Sequence, residues 1–238
     1  MDELEEQLHY ATHIGDVDQV KQLLSNPQIN LNCQDENDGD VTPLFSACLE
    51  DHVEVVKLLL NDERVDVNLA NESGITPFCI ACERGNDEIV KLLLENEKVE
   101  INEADNDDWT PFHYVCYSGR IDVAKILLND RRVEINKENV DRHLPFWIAC
   151  SERQFEIVEH ILASGREGNF NQKDEKGISA LDVVKEREKE ERRFWENEKL
   201  FQERQIMCAN MIELLESFEK NPEDTRTRLR IKLGCAGK

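Results

Sequence analysis

Apolar and polar positions along the chain recur in blocks. Val55-Val56-Lys57-Leu58-Leu59, Ile89-Val90-Lys91-Leu92-Leu93, Val123-Ala124-Lys125-Ile126-Leu127 and Ile157-Val158-Glu159-His160-Ile161 repeat at intervals of 34 residues. Their apolar residues fall at i, i+1, i+4 and i+5, one face of a helix. Ahead of each block stands a second recurring element: Thr42-Pro43-Leu44, Thr76-Pro77-Phe78, Thr110-Pro111-Phe112 and Leu144-Pro145-Phe146, its prolines also spaced by 34. A weaker copy, Ser179-Ala180-Leu181, follows 35 residues after Pro145. Thr before Pro predicts a helix start, because the hydroxyl accepts from a free N–H and Pro fits the first helical position. Asn-, Asp- and Gly-rich stretches without helical period predict turns or hairpins between units. Asp66-Val67-Asn68, Glu100-Ile101-Asn102 and Glu134-Ile135-Asn136 close three units. One helix pair cannot bury its own apolar face, so the units must stack.

These motifs resemble those of ankyrin repeats, over about residues 1–218. The resemblance implies an all-α, ankyrin-repeat solenoid of stacked helix-turn-helix units with hairpin-like loops. Tetratricopeptide repeats share the 34-residue length but lack the Thr-Pro start. The register divides the chain into an N-terminal capping repeat (1–34), four repeats (35–70, 71–104, 105–138, 139–173), a C-terminal capping repeat (174–220) and a basic tail (221–238).

Several positions depart from the pattern. Family hairpins usually place Gly two residues before the Thr, as Gly74 and Gly177 do, whereas Asp108 and Arg142 stand there in two units. Asp tolerates the left-handed region better than Arg, so the hairpin before Leu144 is expected to be strained, and Leu144 itself lacks a capping hydroxyl. The first hairpin has two extra residues around Asp38-Gly39-Asp40. The C-terminal cap contains about 19 inserted residues, Glu186 to Arg204, including Phe194 and Trp195. With no Gly or Pro among them, they predict two overlong helices forming an extended C-terminal hairpin, or one continuous helix. In the tail, Arg226, Arg228, Arg230 and Lys232 alternate with Thr227, Leu229, Ile231 and Leu233, a strand-like period of two. It runs into Gly234-Cys235-Ala236-Gly237-Lys238, faintly like a phosphate loop. A disordered basic tail is the main expectation; the alternative is the regulatory region of a longer nucleotide-binding enzyme, truncated near Lys238.

Charge sharpens this picture. The chain has 29 Lys+Arg against 51 Asp+Glu, a net of −22. Residues 1–184 carry −23 and residues 185–238 carry +1. Such a body repels polyphosphate, so no nucleic-acid partner is expected. No apolar run is long enough for a bilayer, and the acidic N-terminus has no signal-like apolar stretch. A cytoplasmic monomer, with the nucleus also open, is expected.

The eight cysteines carry no evident chemistry. Cys48, Cys82, Cys116 and Cys150 recur every 34 residues where the family has a small residue, and read as buried fillers one unit apart, too far for disulfides. No ligand spacing for a metal, no cofactor motif and no nucleophile constellation is present, so no enzyme is read here. His113 matches the family's structural His, whose role is to bond the helix-start backbone.

The resemblance implies a non-catalytic protein-interaction module, an adaptor, scaffold or inhibitor. Its partner would meet the hairpin tips and first-helix faces. Carried over unit by unit, the partner-binding residues are Val41, Glu72, Ser73, Ile75, Asp107, Trp109, His113, Tyr117, Asp141, His143 and Trp147. Trp109, His113, Tyr117 and Trp147 could form one aromatic patch, or each tryptophan could pack on its own hairpin. The acidic rim would speed association with a basic partner. Asn68, Asn102 and Asn136 sit in a pattern like that modified by asparaginyl hydroxylases, or they stabilise the hairpins.

Overall fold

The computed structural model describes residues 2–190 and 196–235. The chain forms two compact units, Met1–Val115 and Cys116–Lys238. Helices dominate both, and isolated bridges Asp35–Val41 and Lys173–Ser179 are the β-type pairings among the described residues.

In the first unit, helices come in pairs: α1 (Glu3–Ile14) with α2 (Val17–Leu24), α3 (Pro43–Leu49) with α4 (Val53–Leu60), and α5 (Pro77–Arg84) with α6 (Asp87–Glu95). Each pair stacks on the next, α1 on α3 on α5 and α2 on α4 on α6. Leu8, Leu44, Leu59, Phe78, Ile89 and Leu93 fill the layers between them. Each such side chain contributes roughly 1.5–3 kcal/mol through removal from water. The Thr-Pro starts work as expected, with Thr42 and Thr76 Oγ1 accepting from the Phe45 and Cys79 N–H groups at 3.1 Å. At the start of α7 (Pro111–Ser118), His113 Nδ1 accepts from the Thr110 N–H at 3.1 Å and lies 2.8 Å from its hydroxyl. His113 thus has the helix-start role its motif implies.

The second unit continues the pairing with α8 (Ile121–Asn129), α9 (Pro145–Ser151) and α10 (Phe155–Ala163), followed by α11 (Ala180–Glu188), α12 (Glu198–Lys220) and α13 (Pro222–Lys232). α9 packs on α10 and α11, α11 on α12, and α13 on both α12 and α10. Leu144 caps α9 without a side-chain hydrogen bond. Asp108 and Arg142 both take positive φ, 60° and 61°, where Gly74 takes 81°. At Gly74 a Cβ would also lie 2.8 Å from the Asn106 backbone nitrogen, so the loop needs glycine twice over.

Two expectations for the C-terminal part are corrected. α11 has 9 residues and ends at Glu188, so only α12, with 23, is overlong. α11 and α12 pack on each other, so the expected helix pair stands with its second arm alone lengthened, and among the described residues α11 ends before Glu190, which pairs with Arg187 and Arg153. Phe194 and Trp195 lie outside the described residues. Over its described residues, 221–235, the tail forms a helix rather than a disordered segment or a strand: Asn221 caps α13, Pro222 opens it, Glu223 and Asp224 occupy its first turn and Arg230 and Lys232 its last. Thr225 and Leu229, four residues apart, are its buried side chains. A helix therefore stands where a phosphate loop would need a strand.

The four periodic cysteines are buried thiols, with Cys33, Cys79 and Cys208 also buried and unbridged. Burial pushes the Cys79 thiol up to about 12, far from a nucleophilic thiolate.

Candidate protein-binding surface

The hairpins are built by one recurring device. Asn71, Asp105, Asn139 and Asp174 each accept, through Oδ1, from the N–H groups two and four residues ahead, at 2.8–3.1 Å. The same residues donate backbone N–H to the carbonyl four residues on. The first hairpin absorbs its two extra residues in a short turn, Glu36–Asp38, with Gly39 and Asp40 both left-handed. Neighbouring tips in the first unit are tied together: Glu72 N–H donates to Gly39 O at 3.0 Å and Asn106 N–H to Ser73 O at 3.1 Å.

Glu72, Ser73 and Asp107 stand exposed on these tips, Ile75 is half-buried, and Val41 is buried. Val41 is packed into the core but lines, with Ser46, a cleft beside Tyr10. Trp109 is half-buried on its own hairpin, 5.5 Å from the Tyr114 ring and 5.9 Å from His113. The Tyr114 hydroxyl donates to Asp105 Oδ2, and burial together with that carboxylate raises the phenol's pKa. His113 is fully buried, so it supports Trp109 from beneath and offers nothing to a partner.

In the second unit, Asp141 and Tyr117 are exposed, the latter at 51%. His143 stacks on Trp147 with centroids 3.7 Å apart and planes 6° from parallel, and its Nε2 lies 3.6 Å from Asp174 Oδ2. Trp147 donates Nε1–H to Ile178 O at 3.2 Å. Burial alone would raise the Asp174 pKa; the Ile178 and Lys176 N–H groups and His143 outweigh it and lower it. Trp109, on its hairpin, and Trp147, in α9, are thus each engaged within their own unit.

Asn68 donates to Lys98 O at 2.8 Å and accepts from Glu100 N–H at 2.9 Å. Asn136 donates to Glu167 O at 2.7 Å, and Asn102 sits half-buried at the matching place. This geometry is that of a brace between neighbouring repeats.

Three features escaped the sequence reading. His52 donates to His13 O at 2.8 Å, Asn86 to Cys48 O at 2.7 Å and Gln154 to Tyr117 O at 3.2 Å. Arg64 ties down Leu24 O and Asn26 O, as Arg166 does Asp130 O and Val133 O. Their signal was a second 34-residue period, in His52, Asn86, Arg120 and Gln154 and in Arg64, Lys98, Arg132 and Arg166. The third feature is a cleft of about 310 Å³ in the first unit, lined by Glu6, Asp35 and Asp38 with His9, Tyr10 and His13. Tyr10 is 62% exposed there. It lay in the N-terminal cap, where the repeat motif is weakest.

Among the described residues, no group of His, Cys, Asp or Glu could hold a metal ion, and no helix is long and apolar enough to cross a membrane. The ankyrin-repeat family model matches in three copies, at residues 8–105, 63–139 and 97–174. No curated protein matches the chain. The Thr-Pro helix starts, the Asx-pinned hairpins and the stacked pairs agree with that match, and the chain belongs to the ankyrin-repeat family, whose repeats serve as protein-interaction modules and are generally non-catalytic.

Proposed function

We propose that the chain is a non-catalytic adaptor, scaffold or inhibitor that captures a basic protein segment on the hairpin tips and first-helix surface of residues 1–115. The carrying observation is the cleft beside Tyr10, where an exposed aromatic ring stands among Glu6, Asp35 and Asp38. A Lys or Arg side chain would meet carboxylates there and lay its stem on the ring. Glu72, Ser73 and Asp107 extend the acidic surface along the tips, and Ile75 and Trp109 give it apolar relief. Tyr117, Asp141, His143 and Trp147 are assigned to a secondary contact on the second unit. Asn68, Asn102 and Asn136 are read as structural braces; a mass gain of one oxygen per site would instead establish hydroxylation.

The test compares the full chain with its Tyr10→Ala/Asp38→Asn variant as baits at low and high ionic strength. The expected result is a basic protein recovered at low salt and lost with the variant, helical circular dichroism being unchanged. Equal recovery by both baits, or recovery of acidic proteins only, would overturn the proposal.

A further inference from the structure

One cleft is lined by cations without carboxylates. In the second unit, the C-terminal ends of α8 and α10 and the end of α13 enclose about 410 Å³, within the range of small-molecule sites. Lys125, Arg131, His160, Arg166 and Arg230 line it, and no carboxylate does among the described residues. Leu128, Ala163 and Leu233 supply an apolar wall.

Part of this arrangement is capping. Arg166 donates Nη1–H to Asp130 O at 3.2 Å and a second N–H to Val133 O, while Arg230 donates Nε–H to Ala163 O at 2.9 Å. Those bonds use two and one of the five donors each guanidinium carries, and they hold both groups in place. Two of the lining groups already have acidic neighbours: Asp122 and Glu156 meet Lys125 at 3.2 and 3.8 Å, and Glu156 lies 4.0 Å from His160, while Asp130 pairs with Arg132 at 2.6 Å, so the cleft's uncompensated charge rests on its arginines. Arg131 makes no hydrogen bond or ion pair among the described residues and is exposed. The cations also act on one another. Burial and the neighbouring Arg131 lower the Arg166 pKa, and burial and Lys125 lower that of His160. Clustered like charges of this kind favour a bound anion.

We propose that this cleft binds a phosphate monoester, its dianion on the guanidinium groups of Arg131, Arg166 and Arg230 and its organic body against Leu128, Ala163 and Leu233. A single carboxylate would neutralise only one of these cations, whereas a monoester brings about 1.5 to 2 negative charges at pH 7. Planar guanidinium forks match phosphate oxygens in pairs. The ester is either a small molecule or a phosphorylated side chain of a peptide.

Isothermal titration of the full chain with phenyl phosphate, a phosphoserine peptide and benzoate tests this. Phenyl phosphate or the peptide should saturate a single site. The Lys125→Ala/Arg131→Ala variant, which removes no helix cap, should weaken it about tenfold, the weight of one charge-assisted hydrogen bond. Arg64→Ala, which removes a comparable cap in the first unit, should leave it unchanged. Tighter binding of the peptide supports a phosphorylated segment as ligand, and tighter binding of phenyl phosphate a small ester. No saturable heat from either probe, benzoate binding as tightly as phenyl phosphate, or unchanged affinity in the double variant would overturn the proposal.

Discussion

Residues 1–115 carry 27 acidic and 6 basic side chains, a net of −21, whereas residues 116–238 carry 24 and 23, a net of −1. The two units hold themselves together differently in consequence. The first relies on its apolar layers and on neutral braces such as Asn32, Asn68 and Asn86, leaving most of its carboxylates on the surface. In the second, ion pairs knit the C-terminal helices. Arg204 makes paired hydrogen bonds to Glu196 at 2.9 Å, and Glu190 receives Arg153 at 2.7 Å and Arg187 at 2.8 Å. A surface that spends its charge on internal pairing has little left to steer a partner. One with 27 acids against 6 bases keeps a large excess of negative charge and is suited to fast association.

The largest expected effect probes that internal pairing. Arg204 and Glu196 are 11% and 6% exposed, so Arg204→Ala strands a buried carboxylate and should cost about 3–5 kcal/mol in chemical denaturation. A loss below about 1 kcal/mol, the value of an exposed pair, would remove the ion network from the account.

A smaller pair of substitutions should respond to pH with opposite signs. Burial alone would raise the Glu190 pKa, but Arg187 and Arg153 outweigh it and hold the carboxyl below the usual range. Its contribution is therefore complete above the ordinary glutamate pKa and is lost as pH falls through the folded value. Glu190→Gln should lower Tm at neutral pH, by about 1 kcal/mol in stability, and the deficit should vanish in acid. In the first unit, burial and the neighbouring carboxylates Asp87 and Glu88 raise the Asp51 pKa. Its penalty is complete above the folded pKa and absent below the ordinary aspartate value. Asp51→Asn should raise Tm slightly at neutral pH, a gain that disappears in acid, and Asn tolerates the left-handed backbone at this position (φ 61°). Thermal melts at several pH values check both signs; a shared sign would collapse the contrast between the units.

What the sequence made legible follows the same division. Thr-Pro starts, periodic apolar faces and Asx-rich hairpins are local signals repeated at one interval, so the repeats and their register could be read directly. The strained positions were legible too, since Asp108 and Arg142 stand where glycine is usual and both are left-handed. Beyond Asp174 the repetition stops and tertiary contacts decide. α11 ends where Glu190 meets Arg153 and Arg187, although no Gly or Pro marks the place. The period of two in the tail misled, because Thr225 and Leu229 also satisfy a helical spacing and Asn221-Pro222 supplies a cap. Tip residues were identified by position, but whether a side chain faces out depends on its neighbours. His113 turns inward, and Tyr10, in the cap, turns outward.

The central claim is that binding belongs to the acidic first unit. Hydrogen exchange of the full chain, alone and with the captured partner, tests it most directly. Protection is expected along residues 6–13, 35–41, 72–75 and 107–109. Protection confined to α12 and α13, with those segments exchanging as in the free chain, would contradict it.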